Sequence, residues 1–185
     1  AVPQSPGVVT APLEVAGAYS AKGAAFMRDA FRNSDRYFQG ETWVVGDATA
    51  AKSVDRVAII AAIRARYDDD YVRSWRAVVQ GTTVARPLNV KDAAGKLDVI
   101  AGMQSPLLQV LRTVAVHTDT DSSTRAVFQP VHAVTPPAVV DKYVSEKNQP
   151  YMDGLLGLQG TLAQIGNLPP AVDTAAVSRC RPGRV

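Results

Sequence analysis

Hydrophobic side chains recur at helical spacing along most of the chain, and the strongest run lies between positions 53 and 80. There Ile59/Ile60, Ile63, Tyr67, Tyr71, Trp75 and Val78/Val79 step by three or four residues, which puts them on one face of a helix. Ser53 can cap its start, and Gly81 stands where a glycine ends many helices. About 27 residues at 1.5 Å rise make a rod of roughly 40 Å. Its outer face offers opposite charges four apart: Arg64 with Asp68, Arg66 with Asp70, Asp69 with Arg73. Each pair is worth about 0.2–0.5 kcal/mol. Burial of the spine dominates, at roughly 1.5–3 kcal/mol per large side chain.

Weaker periodicities flank this rod. Ser20 caps an expected helix from Ala21 to Phe38, with Phe26, Ala30, Met27 and Phe31 turned inward, Arg28, Asp29, Arg32 and Asp35 outward, and Gly40 as its end. Trp43-Val44-Val45-Gly46-Asp47 reads as a short apolar connector. Asn89 caps a helix from Val90 to about Met103, and Ser105-Pro106 restarts the chain as an N-cap with proline at the first helical position. Leu107, Leu108, Val110, Leu111, Val114 and Ala115 give that next helix, ending near His117, a broad buried face. Positions 119–124 read as a polar loop and Phe128–His132 as mostly irregular; Pro136-Pro137 opens a short helix through Val144. A last strong helix runs from Pro150 to Ile165 with Met152, Leu155, Leu156, Leu158, Leu162 and Ile165 as its buried set. Gly154, Gly157 and Gly160 either weaken it, by up to about 1 kcal/mol each, or permit close packing on a neighbour.

No internal repeat occurs, and no alternating run exceeds a few residues. The expected fold is mainly α: a helical bundle built around the long amphipathic helix at 53–80. Residues 1–16, with Pro3, Pro6 and Pro12, form an extended lead-in or linker; 17–167 form the helical domain; 168–185 carry a C-terminal helix, Ala171 to Arg179, and a tail.

Composition narrows the function classes. With 185 residues, 46% of them hydrophobic and 20% charged, the chain can bury a core and is not a disordered polymer. Its net charge of +3 comes from arginines scattered among acids rather than gathered in a stripe, which argues against a nucleic-acid-binding role. No uninterrupted apolar run reaches about 18 residues, so no membrane span is expected within the chain. Cys180 is a lone cysteine and cannot form an internal disulfide. The start at Ala1-Val2-Pro3, with neither Met nor a signal-peptide core, is expected of a processed protein or a piece of a longer one.

Candidate chemistry is sparse. Asp68-Asp69-Asp70 could suggest a metal or acid–base cluster, but successive helix positions point about 100° apart, so a solvated, ion-paired face is the expected reading. His117 and His132 are the only histidines, and with Cys180 distant in sequence neither a zinc site nor a Cys–His pair has local support. Asp119-x-Asp121-Ser122 begins like a calcium loop, but Thr124 and Pro130 stand where a glycine and a bidentate acid are needed. The glycines at 154, 157 and 160 fall inside a helix, not between strand and helix, so they form no phosphate loop. No catalytic residue, cofactor or metal is therefore expected. Tyr67, Tyr71 and Trp75 form an aromatic stripe whose default role is core packing and whose alternative is the wall of a ligand pocket.

Taken in order, several segments resemble one family. They are Gly17-Ala18-Tyr19-Ser20-Ala21-Lys22-Gly23, Trp43-Val44-Val45-Gly46, Tyr67-Asp68-Asp69-Asp70-Tyr71-Val72-Arg73-Ser74-Trp75, Ser105-Pro106-Leu107-Leu108 with Val114 and Thr118, and Phe128-Gln129-Pro130-Val131. Over roughly Val8 to Ile165 the chain is similar to the C-terminal periplasmic region of IcmF/TssM-type proteins, inner-membrane scaffold components of bacterial type VI secretion systems. The resemblance implies a non-catalytic helical domain in the periplasm, within an envelope-spanning complex that contains the inner-membrane protein TssL and the outer-membrane lipoprotein TssJ. It leaves room for a homo-oligomer in the parent complex. Ala16 replaces the proline that often precedes Gly-x-Tyr in the family, and the β-rich module that contacts the lipoprotein has no counterpart by Val185. No partner-contact residue carries over.

Overall fold

The computed structural model describes residues 7–11, 14–38, 56–135 and 143–168. Among these residues the regular structure is helical apart from one small antiparallel pair, β1 (Val9–Thr10) with β2 (Thr83–Val84), in the register Val9 opposite Val84. This pair ties the described part of the lead-in into the fold, burying Val9 and Ala11.

A 3₁₀ turn, Gly17–Tyr19, leads into α1 (Ala21–Arg32), whose start is capped by Ser20 Oγ accepting the Gly23 amide at 3.0 Å. The single helix expected over 21–38 is interrupted. Asn33 donates its amide to the Asp29 carbonyl, and its Nδ2 to the Asp29 carbonyl and carboxylate. A side chain that bonds the preceding turn competes with helix continuation, and α2 (Asp35–Phe38) restarts separately. Phe26, assigned to the inner face, is 62% exposed; Ala24 takes the buried position. Arg28, assigned to the outer face, is half-buried and donates Nη1 to the Thr120 carbonyl.

The rod is α3 (Arg56–Gly81). Its cap at Ser53, the stop at Gly40 and the connector at Trp43–Asp47 lie outside the described residues. Tyr71, Trp75 and Val78 are buried, but Ile63 is 48% exposed and Val57 lies open. The spine is therefore not hidden from Ile59 onward. Among the described residues the buried core cluster, built with the 3₁₀ turn, α1 and α5, draws on this helix from Tyr67 to Val79. Arg64–Asp68 and Arg66–Asp70 pair as expected, at 3.9 and 2.8 Å. The expected Asp69–Arg73 pair gives way to Arg73 Nη1 on Asp70 Oδ1 at 2.8 Å, so that one carboxylate serves two guanidinium groups.

Helices α4 (Val90–Ala101) and α5 (Pro106–Thr118) follow with the expected caps: Asn89 accepts from the Asp92 amide and Ser105 from the Leu108 amide. By length and mean hydropathy the stretch Val90–Thr118 is apolar enough to cross a membrane, against the expectation drawn from its lack of an unbroken apolar run. Gly102–Ser105 divides it, and Leu108, Val110, Val114 and Ala115 turn into the protein core.

The loop expected at 119–124 is largely a cap and a helix. Asp121 starts α6 (Ser122–Val127), and α7 (Gln129–Val134) replaces the irregular stretch, with Pro130 in its first turn where no amide is needed. The helix expected from Pro136-Pro137 falls mostly outside the described residues. Helix α8 (Gln149–Gly166) packs along α4. Met152 is buried, whereas Leu156 and Leu158 are close to half exposed, against their assignment to the core. Gly154, Gly157 and Gly160 face open space; the close approach belongs to Gly166, where a Cβ would stand 3.6 Å from the Lys91 backbone. The helix and tail expected beyond Leu168 lie outside the described residues.

Candidate functional site

The aromatic stripe organises the centre of the molecule. Each of its polar tips donates to a main-chain carbonyl: Tyr67 Oη to Ala18 at 2.7 Å, Trp75 Nε1 to Tyr19 at 2.7 Å, and Tyr71 Oη to His117. Tyr19 answers with its ring, 5.7 Å from Tyr67 and edge-on to Tyr71 at 6.1 Å. Burial pushes the Tyr67 and Tyr71 phenols up to about 12, so both remain proton donors through the physiological range. These contacts seat the Gly17–Tyr19 turn on α3. A Cβ on Gly23 would overlap the carbonyl oxygens of Gly17 and Ala18.

His117 closes the arrangement. Its ring stacks on Trp75 with centroids 4.9 Å apart and 16° between planes, and its Nδ1 accepts the Ala21 amide at 3.0 Å. That bond requires neutral imidazole with the proton on Nε2, and burial lowers the pKa accordingly.

Beside the stripe lies a cleft of about 210 Å³ between α1, α3 and residues 120–124. Tyr67 and Tyr71 line it with Arg28, Arg64, Asp68 and Asp121; Trp75 does not. Burial raises the Asp68 pKa, Arg64 opposes this, and the nearby Asp121 and Asp69 charges add to it. Asp121 is already engaged. Its carboxylate accepts from the Thr124 amide and from the hydroxyls of Thr120, Ser123 and Thr124, and against the cost of desolvation these bonds bring its pKa to about 2.

The remaining candidates are dispersed. Asp68 faces this cleft, Asp69 an open groove with Val72, Arg73 and Arg76, and Asp70 its two arginines. His132 Nε2 lies 3.1 Å from Thr118 Oγ1, which donates to the Val114 carbonyl. The imidazole is therefore the donor of that pair; its Nδ1 is buried without a partner, and burial lowers its pKa. Among the described residues no three His, Cys, Asp or Glu side chains are placed to hold a metal ion. Cys180 lies outside the described residues.

Sequence reasoning missed four contributors: Gly23, His117 as an acceptor, Asp121 and Asn148. Asp121 carried a readable signal, an acid just before Ser-Ser-Thr, the pattern of an N-cap. Asn148 carried none. It is 1% exposed, accepts the Ser145 amide and donates to the Val134 and Tyr143 carbonyls.

A family model described as "IcmF-related: Intracellular multiplication and human macrophage-killing" matches residues 1–119. "Type VI secretion system component TssM1" of Pseudomonas aeruginosa (strain ATCC 15692, PAO1) is 34% identical over 88 residues, which are 47% of this chain and 8% of that protein. The match thus covers a small part of the relative's length. No solved structure matches.

Proposed function

From the premise that this chain belongs to the IcmF-related family, we propose that it is a non-catalytic scaffold domain of a type VI secretion membrane complex. Family and relative together indicate a type VI secretion component of IcmF/TssM type. The scaffold role goes further, and one observation carries it. Every polar tip of the aromatic face is used to hold backbone, which supports a centre built to position α1, α3 and α5. On this reading the domain stands in the periplasm as part of an inner-membrane protein, and its partners are TssL and the lipoprotein TssJ.

In-cell photocrosslinking tests the proposal. Crosslinkers at the exposed Phe26, Tyr37 and Leu158 of the intact parent protein should capture one of those envelope proteins from at least one position. Capture of neither, or turnover of a substrate by the purified chain, defeats it.

A second reading draws on the cleft. Its two phenols, two arginines and two carboxylates could wall a small ligand-binding module of the kind the stripe Tyr67, Tyr71, Trp75 suggested. Saturable binding detected by thermal shift and lost in Tyr67→Ala, with the fold intact, would favour it. At about 210 Å³ the cleft is below the roughly 300–1,000 Å³ usual for ligand sites, and Trp75 is stacked under His117 instead of lining it.

A further inference from the structure

We propose that His117 is a pH-operated latch: as neutral imidazole it holds the start of α1 against the aromatic face of α3, and as imidazolium it lets that start go. The geometry supplies the mechanism. Ala21 is the first residue of α1, and its amide is one of those a helix cannot satisfy internally. The partner it finds is His117 Nδ1, at 3.0 Å and 96 residues away in the chain. An imidazole nitrogen accepts only through its lone pair, and protonation fills that lone pair with an N–H. Donor would then face donor. The new charge would also sit at the positive end of the α1 dipole, where cations are disfavoured.

Trp75 works the other way, since an indole face attracts a cation. That attraction needs only the stack; the bond to Ala21 is lost whether or not the stack survives. The backbone at the ring is held by Tyr71, whose Oη donates to the His117 carbonyl.

Among the described residues nothing around the ring favours the cation by charge. The titratable and charged groups against it are Tyr71 on α3, Arg112 on its own helix, and Tyr143 across a groove of about 220 Å³ that opens the ring to solvent. The other groove residues are Gln109, Thr113 and Val116, with no carboxylate among them. Burial lowers the pKa of His117, so the folded, latched form binds its proton less readily than the open form. Latching is therefore complete above about pH 6.5, the ordinary histidine value, and is lost as pH falls through the lower folded value. His132 titrates in the same sense, but it acts on Thr118, between α5 and α7, and not on α1.

Amide hydrogen exchange on the 185-residue chain, corrected for intrinsic rates between about pH 7.5 and 5, reads the latch directly. Protection of Ala21 and the first turn of α1 should fall about tenfold for each pH unit separating the latched and open pKa values, while α5 stays protected. His117→Asn keeps an acceptor near the Nδ1 position that cannot be protonated, and its profile for α1 should be flat. Protection at Ala21 that does not change with pH in the wild type, or falls equally in H117N, overturns the proposal. If H117N does not fold, the wild type decides by NMR. A shared titration midpoint for the Ala21 amide and the His117 ring supports the latch, and separate midpoints refute it.

Discussion

A methyl group added at Gly23 and one added at Gly157 meet opposite surroundings. At Gly23 it strikes the rigid carbonyls of the preceding turn; at Gly157 it meets nothing. Gly23→Ala should therefore lower stability by about 1–3 kcal/mol, the usual cost of overpacking. Gly157→Ala should raise it by up to about 1 kcal/mol, the difference in helix propensity. Urea unfolding midpoints measure both, and a stabilised G23A would mean that the turn is not seated as described. Asp121 makes a third case. Removing its cap by Asp121→Ala should cost about 1 kcal/mol at neutral pH. Because the folded pKa lies near 2, below the ordinary 3.8, this contribution is complete above pH 4 and disappears as pH falls through about 2. The stability difference between D121A and wild type, followed into acid, should shrink over that window.

Among elements, α3 shows what periodicity can and cannot reveal. The spacing from Ile59 to Val79 located the helix and its inner face, because a step of three or four residues is a property of the helix itself. It could not show how far along that face the neighbours extend, which depends on contacts distant in sequence. Tyr67 reaches Ala18 and Trp75 reaches Tyr19, and among the described residues the core cluster on α3 begins at Tyr67. The two halves should respond differently to truncation. Trp75→Ala removes a ring that is 2% exposed, with its hydrogen bond, and should cost about 3–5 kcal/mol in thermal or urea unfolding. Ile63→Ala, at a position 48% exposed, should cost under about 1 kcal/mol. Equal losses would place Ile63 in a core that the described packing does not contain. The same limit explains the candidate site. Tyr67 and Tyr71 were legible as a stripe, but the carbonyls they bond, and the histidine that shields Trp75, come from segments that nothing in the local pattern connects to them.

For the molecule as a whole, stability should be uneven. The core around Tyr71, Trp75, Val78, Val110, Val114 and Phe128 joins α3 to α5 and the segment after α6, whereas α8 packs chiefly on α4. Helix α8 also carries three glycines facing open space, and Tyr151, Leu156 and Leu158 leave much of their apolar surface uncovered. Among the described residues its side-chain hydrogen bonds to other segments gather at its start, through Asn148. Local opening follows low burial and sparse tethering, so the C-terminal turns of α8 should exchange their amides well before α5 does. Substituting Gly154, Gly157 and Gly160 together by alanine should slow that exchange, since each replacement favours the helix by up to about 1 kcal/mol and none meets a neighbour. In the 185-residue chain the triple variant should therefore be more stable than wild type. If it is instead destabilised, a surface must lie against the face described as open, and the exposed leucines beside it would belong to an interface between copies of the chain. Sedimentation of the wild type across a concentration series separates the two cases: a monomer throughout agrees with an open α8 face, and self-association places a second copy on it.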